Sequence, residues 1–338
     1  MKILSVASIL VLVLWTCSLA AGQDQIAQAQ ALMKNAGREL DANAAVIDQR
    51  SGLVTVLHAR LINHLAQAAA GADPAQIVQL AQLDASLIDQ LTTQNYASLA
   101  SARGLAAVVL PNIGAAKRAY PLAVYVPASY APGKPAPLII YLHGKGESEA
   151  DVATSTLVQT LADASGALIV APYAGGDDML TDASIAELYQ VLAATESAFA
   201  VDKRRVYLAG QSLGGFAAFK ALANHPESWT AALVIEGAVA QSDSDVVAVR
   251  VKGKPIYLVA GSNDESIKAT YMRQLAAWLR KNGAIVTYYE QPDGTHSLSS
   301  VAPFVSKAWR DMLAGNRPTV TSGDDVSAPT PVPTRQST

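Results

Sequence analysis

The sequence predicts an α/β fold, a mostly parallel sheet covered by helices on both faces, preceded by an all-α helical hairpin segment. Three observations carry this. From Pro111 onward, short continuous apolar runs alternate with segments of helical periodicity. From Gln23 to Leu110 there is one proline, Pro74, in a stretch rich in Ala, Gln, Leu and Asp. Between the strand-like Val206-Tyr207-Leu208 and the helical Phe216 to Asn224 lies a very tight glycine-flanked turn with Ser212 at its apex.

Residues 1–22 read as an export signal. Lys2 is a positive start, Ile3 to Trp15 an apolar run short for a bilayer, and Ser18-Leu19-Ala20 and Ala20-Ala21-Gly22 are small-residue cleavage sites. The mature chain is then expected to begin near Ala21 or Gln23, outside the cell membrane, in the periplasm or medium. An uncleaved anchor and a lipid-bearing Cys17 are the alternatives, against which stand the short run and the bulky Trp15 and Thr16. Cys17 is the single cysteine. Its removal leaves no thiol for a disulfide, a nucleophile or a thiolate metal site.

In residues 23–110, Ile26, Met33, Leu40, Ile47, Val54 and Leu61 recur every seventh position, with Gly52 an interruption. Gly71-Ala72-Asp73-Pro74 reads as a helix stop, an N-cap and an N1 proline, and Ile77, Leu80, Leu87 and Leu91 form a second stripe. Two or three helices are expected. Polar Asn43, Arg50 and His64 interrupt the partner positions, which favours packing within the chain, or against the following domain, over an intermolecular coiled coil. His58 and His64 have no neighbouring carboxylate-histidine pattern and read as surface or packing residues. Self-association and covering a cleft are the roles open to this segment.

Residues 111–313 form the expected α/β domain. Strands are expected at 117–127, an edge strand, and at 138–142, 167–171, 206–209, 231–235, 256–260 and 285–289; helices at 185–200, 216–224, 271–281 and 303–313. The connections 172–183 and 237–255 are too short for a large lid, so an open cleft is expected. Trp278 and Trp309 sit on helical segments as core residues. Residues 314–338, dominated by Pro, Thr, Ser, Gly and Asp, have little apolar surface to bury and read as a disordered tail.

The net charge of −3 favours neither nucleic acid nor an anionic membrane surface as partner, so chemistry is sought in a cleft. In Gly210-Gln211-Ser212-Leu213-Gly214 a serine sits where strand turns into helix. Such a turn forces positive φ on the serine and projects its Oγ beyond the sheet; Gly210 and Gly214 flank it because a Cβ there would collide across the turn. The Leu213 N–H then lies at a helix N-terminus, suited to developing negative charge.

Serine needs a base and an orienting acid at other strand ends. The run 256–260 leads into Gly261-Ser262-Asn263-Asp264, and the last strand leads toward His296. Ser212, His296 and Asp264 are therefore the expected nucleophile, base and acid. Glu236, which also follows a strand, is the rival acid. The turn after Leu142 offers the N–H groups of Gly144 and Lys145 as further oxyanion donors. His143 falls in that turn and His225 at a helix end.

The blocks Leu142-His143-Gly144-Lys145-Gly146-Glu147, Asp202-Lys203-Arg204-Arg205-Val206-Tyr207, Gly210 to Gly215 and His225-Pro226, with Asp264 and His296, resemble the α/β-hydrolase superfamily. The resemblance, from about Tyr120 to Leu313, is to compact secreted serine esterases: feruloyl and acetyl-xylan esterases, polyhydroxybutyrate-depolymerase-like enzymes and the "predicted peptidase" group. It implies hydrolysis of a small-molecule or polymer-borne ester without cofactor. The missing mature cysteine departs from disulfide-bearing relatives. A serine peptidase on the same fold and a non-catalytic binding module are the competing readings.

Overall fold

The computed structural model describes residues 6–316, with side chains from Gly22 onward. Within the expected export segment, residues 1–5 and the side chains through residue 21 lie outside that range, as does the expected tail beyond residue 316. Two compact units are formed, Met1–Tyr96 and Ala97–Thr338.

The first unit is helical: α1 (Val6–Ala42), α2 (Ala44–Ser51), α3 (Val54–Ala69) and α4 (Pro74–Thr93). Four helices replace the expected two or three because the chain breaks twice in the first stripe. Asn43 ends the first run, and Gly52 takes φ +71° to cap α2. Met33, Leu40, Ile47 and Leu61 of that stripe are buried, and so are Ile77, Leu80, Leu87 and Leu91 of the second. Each such side chain contributes about 1.5–3 kcal/mol of burial. Asp73 caps α4 as expected, accepting from the Ala75 N–H with Pro74 in the first turn.

The polar interruptions find partners inside this unit. Arg50 Nη1 donates to the Leu91 and Thr92 carbonyls at the end of α4. Buried Asp84 accepts from Arg60 Nε at 2.6 Å and lies 2.6 Å from His64 Nδ1. The expectation that no carboxylate accompanies the histidines is thus corrected: Asp84 meets His64, and Asp41 lies 3.2 Å from His58. Both carboxylates come from other helices, which spacing within one helix cannot reveal.

The second unit is built on an eight-stranded sheet ordered β1-β2-β4-β3-β5-β6-β7-β8. Its elements are β1 (Gly104–Ile113), β2 (Arg118–Val126), β3 (Ala136–Leu142), α5 (Glu149–Thr154), α6 (Thr156–Ser165), β4 (Leu168–Pro172), α7 (Asp182–Ala198) and β5 (Val201–Gln211). They continue with α8 (Leu213–Asn224), β6 (Ala231–Ile235), α9 (Ser244–Arg250), β7 (Pro255–Gly261), α10 (Ala269–Lys281), β8 (Ile285–Gln291) and α11 (Leu298–Ala314). β1 and β2 run antiparallel to their neighbours, whereas β3 to β8 are mutually parallel.

β1 corrects the expected boundary at residue 110. Residues 104–110, assigned to the helical segment, pair with β2, and Leu105 to Leu110 bring the adjacent β-branched Val108 and Val109. Pro111 is tolerated there because β1 is an edge strand whose register shifts between Leu110 and Ile113.

Pleating sorts the central strands between two cores. Leu138, Ile140, Val206, Leu208, Ile256 and Leu258 pack with residues of α7, α8 and α10. Ile139, Tyr141, Tyr207, Ala209, Tyr257 and Val259 pack with α6 and α11, where Trp309 is buried. Trp278 packs half-buried against the first core. The helix expected from Pro303 begins at Leu298 and carries the proline inside it. The connections after β4 and β6 hold only short 3₁₀ turns and α9.

Candidate active site

Five strands end on one rim of the sheet, and each delivers one residue of the candidate site: β3 His143, β5 Ser212, β6 Glu236, β7 Asp264 and β8 His296. Ser212 has φ +51° and ψ −118° and stands as the N-cap of α8. Its N–H donates to the Ile235 carbonyl at 3.0 Å, and its own carbonyl accepts from the Gly215 N–H at 2.9 Å. A Cβ on Gly210 would strike the Gly214 carbonyl, and one on Gly214 the Leu142 carbonyl. Strain at the serine is maintained by backbone packing on both sides.

His296 Nε2 lies 2.9 Å from Ser212 Oγ, and its Nδ1 lies 2.8 Å from Asp264 Oδ2. The other Asp264 oxygen accepts the Ser266 and Ile267 N–H groups, each at 2.8 Å. With the carboxylate fixed as acceptor, Nδ1 carries the ring proton and the Nε2 lone pair faces the serine hydroxyl. The loops that carry the pair interlock: Asn263 N–H donates to the Gly294 carbonyl at 2.8 Å, and Ser262 N–H to that of Gln291 at 2.9 Å. Burial alone would lower the His296 pKa. The hydrogen bond and charge of Asp264, with the charges of Glu236 and Glu147, outweigh it and hold the imidazole above its ordinary value.

Glu236, the rival acid, is fully buried, and its Oε2 stops 4.0 Å from His296 Nδ1. Burial, aided by the charge of Asp264, lifts its carboxyl to about 7. Glu236, Asp264 and His296 present donor atoms within 4.8 Å of one another, a spacing a metal ion could span. Both ring nitrogens of His296 are, however, already engaged by Ser212 and Asp264.

The expected oxyanion donors divide. The Gly144 N–H donates to Glu147 Oε2 at 2.8 Å, so it points away from that task. The N–H groups of Leu213 and Lys145 have no acceptor among the described residues. Buried His143 braces the turn, with Nδ1 2.8 Å from the Gly144 carbonyl and Nε2 3.2 Å from the Tyr173 carbonyl. Gly146 N–H donates to Asp177 at 3.0 Å. His225 stays outside the site, paired with Glu227 at 3.0 Å. Sequence reasoning missed Glu147 as a brace, although it lies in the quoted motif. Asp177 gave no signal, being 31 residues distant.

The fold is that of the α/β-hydrolases. The family model described as "Putative esterase" matches residues 113–320, more than half of the chain, and the chain belongs to that family. It is 29% identical over 147 residues to a bifunctional acetylxylan esterase/xylanase, XynS20E, of Neocallimastix patriciarum. That match takes in 42% of this chain and spans about a fifth (21%) of the relative's length.

Among solved structures, the fluorophosphonate-binding serine hydrolase FphF of Staphylococcus aureus aligns with a TM-score of 0.53 and 14% identity, over 62% of this chain and 99% of that one. A hyperthermophilic esterase of Pyrobaculum calidifontis aligns at 0.51 and 15% identity, over 65% and 88%. Likeness at these identities is likeness of fold.

Proposed function

We propose that the protein is an exported serine esterase that cleaves carboxylic esters through an acyl-enzyme on Ser212. One observation carries the reading: Ser212 Oγ, the His296 imidazole and Asp264 Oδ2 form a continuous hydrogen-bonded line at 2.9 and 2.8 Å. Family membership and the kinship to an acetylxylan esterase support an ester as the bond cleaved.

In this mechanism Ser212 Oγ bonds to the ester carbonyl carbon while its proton passes to His296 Nε2. The carbonyl oxygen becomes an oxyanion that accepts from the Leu213 and Lys145 N–H groups, at the positive end of α8. His296 then gives its proton to the departing alkoxide, leaving an acyl-Ser212. Water, deprotonated by His296, attacks the acyl carbon and releases the acid and free Ser212. Asp264 holds the Nδ1–H and stabilises the transient imidazolium.

The short loops around the rim suit short acyl groups or esters borne on a polymer. The amino-terminal apolar run supports export, and among the described residues no helix is long and apolar enough to cross a membrane. The test is hydrolysis of p-nitrophenyl acetate, butyrate and octanoate, methyl ferulate and a chromogenic peptide, beside Ser212→Ala. Ester turnover favouring short acyl chains and abolished by the substitution is expected. Cleavage of the peptide alone would make it a peptidase; no turnover of any would favour a binding module.

A further inference from the structure

The mechanism above uses one carboxylate, yet two stand behind the imidazole. Glu236 is fully buried, ends β6 with φ +48°, and is a non-glycine residue in a backbone region that L side chains rarely adopt. Its backbone N–H donates to the Val259 carbonyl at 2.8 Å, which ties the start of the loop after β6 to the neighbouring strand β7. Oε2 accepts from Gln211 Nε2 at 3.3 Å, on the residue preceding Ser212. Among the described residues Oε1 has no hydrogen-bond partner. A buried, half-satisfied carboxyl in a strained turn is costly to folding, and a glutamine or an alanine would be cheaper. Such a residue is explained by what it does to its neighbour.

Resting on the reading of Ser212, His296 and Asp264 as the catalytic line, we propose that Glu236 is a positioning residue that sets the pH at which His296 becomes a base. It is not an alternative triad acid: at 4.0 Å from Nδ1 it lies beyond hydrogen-bonding reach, while Asp264 occupies that proton at 2.8 Å. It acts through its charge. An ionised carboxylate at this distance favours the imidazolium, and a protonated one does not.

The titratable groups facing Glu236 are Asp264 on the loop after β7, His296 on the loop after β8 and Tyr141 on β3. Gln211 on β5 and the Ser297 backbone N–H supply neutral contacts. The Tyr141 hydroxyl is kept protonated by burial and by the neighbouring carboxylates. Within this group burial brings the Glu236 carboxyl to about 7, and the neighbouring carboxylates hold the imidazole above its ordinary value. At 4.0 Å the charge on either group changes the proton affinity of the other, so Glu236 and His296 are a coupled pair.

The sign follows. At alkaline pH Glu236 is ionised and His296 neutral, so the base is competent. As pH falls, a proton taken up by Glu236 removes the charge that favours the imidazolium, so neutral imidazole is lost over a wide range. With Glu236 replaced by glutamine the imidazolium loses one stabilising charge. Its pKa drops, and neutral base persists to lower pH.

The experiment is the rate of fluorophosphonate labelling of the full chain between pH 4.5 and 9, for the unsubstituted protein, Glu236→Gln and Ser212→Ala. The unsubstituted protein should show an acid limb broader than a single titration. Glu236→Gln should show a single-proton limb displaced to lower pH by about one unit, with a lower plateau. Unchanged limb position and shape in Glu236→Gln would overturn the proposal, because a merely structural role lowers the plateau alone. Should Glu236→Gln fail to fold, the unsubstituted protein decides: a limb fitting one proton refutes the coupling. Labelling that survives Ser212→Ala, or is absent throughout, would instead overturn the underlying assignment of the nucleophile.

Discussion

His296 is the residue on which the pH behaviour turns. Its folded-state pKa is raised, so a larger share of it is protonated in mildly acidic solution than for a free imidazole. As base it must be neutral, and kcat/KM is predicted to fall as pH drops through that raised value; a pH-rate profile on p-nitrophenyl acetate checks it. Asp264→Asn should cut kcat by about three to four orders of magnitude while leaving the fold intact, because the asparagine presents the wrong partner to Nδ1. Glu236 bears on stability as well as on activity. Its folded pKa of about 7 exceeds the model-peptide value of 4.5, so the folded state holds a proton that the unfolded state has lost. Stability is therefore expected to decline as pH rises from 4.5 to about 7 and then to level off, and Glu236→Gln should melt higher than the unsubstituted protein at pH 8.

Single elements explain why some of this was legible and some was not. The elbow was readable because five consecutive residues and their flanking strand and helix obey local rules, and Gly210 and Gly214 abut backbone atoms as those rules require. Asp264 and His296 were readable because each follows an apolar run at a strand end. The donor turn was only half readable: which N–H is free depends on a side chain folding back, and Glu147 takes the Gly144 N–H. Glu147→Gln should loosen that turn and lower kcat more than it raises KM, a split visible in Michaelis kinetics; a purely peripheral glutamate would change neither. β1 escaped because Leu105 to Leu110 lacks the polar alternation of an exposed strand and carries alanines favourable to helix. Pairing with β2, a tertiary effect, decides its state.

The whole molecule consists of two compact units with separate cores. The seven-residue spacing announced the helical unit but not its fourth helix or the buried Arg60, His64 and Asp84 cluster, which draws on two helices. Removing one partner of a buried ion pair costs about 3–5 kcal/mol. Asp84→Ala is accordingly expected to lower the melting transition of the helical unit by calorimetry. The transition of the α/β unit, followed by loss of Ser212 labelling on heating, should remain in place. A common downward shift of both would show that the units unfold as one.

The proposed catalysis requires a covalent intermediate at Ser212. Rapid-quench mass spectrometry of the full chain during turnover of p-nitrophenyl butyrate measures it directly. The expected result is one butyryl group per chain, on the peptide containing Ser212, formed in a burst and lost with the steady-state rate. Turnover at full speed in Ser212→Ala, or acylation of another residue competent for turnover, would contradict it.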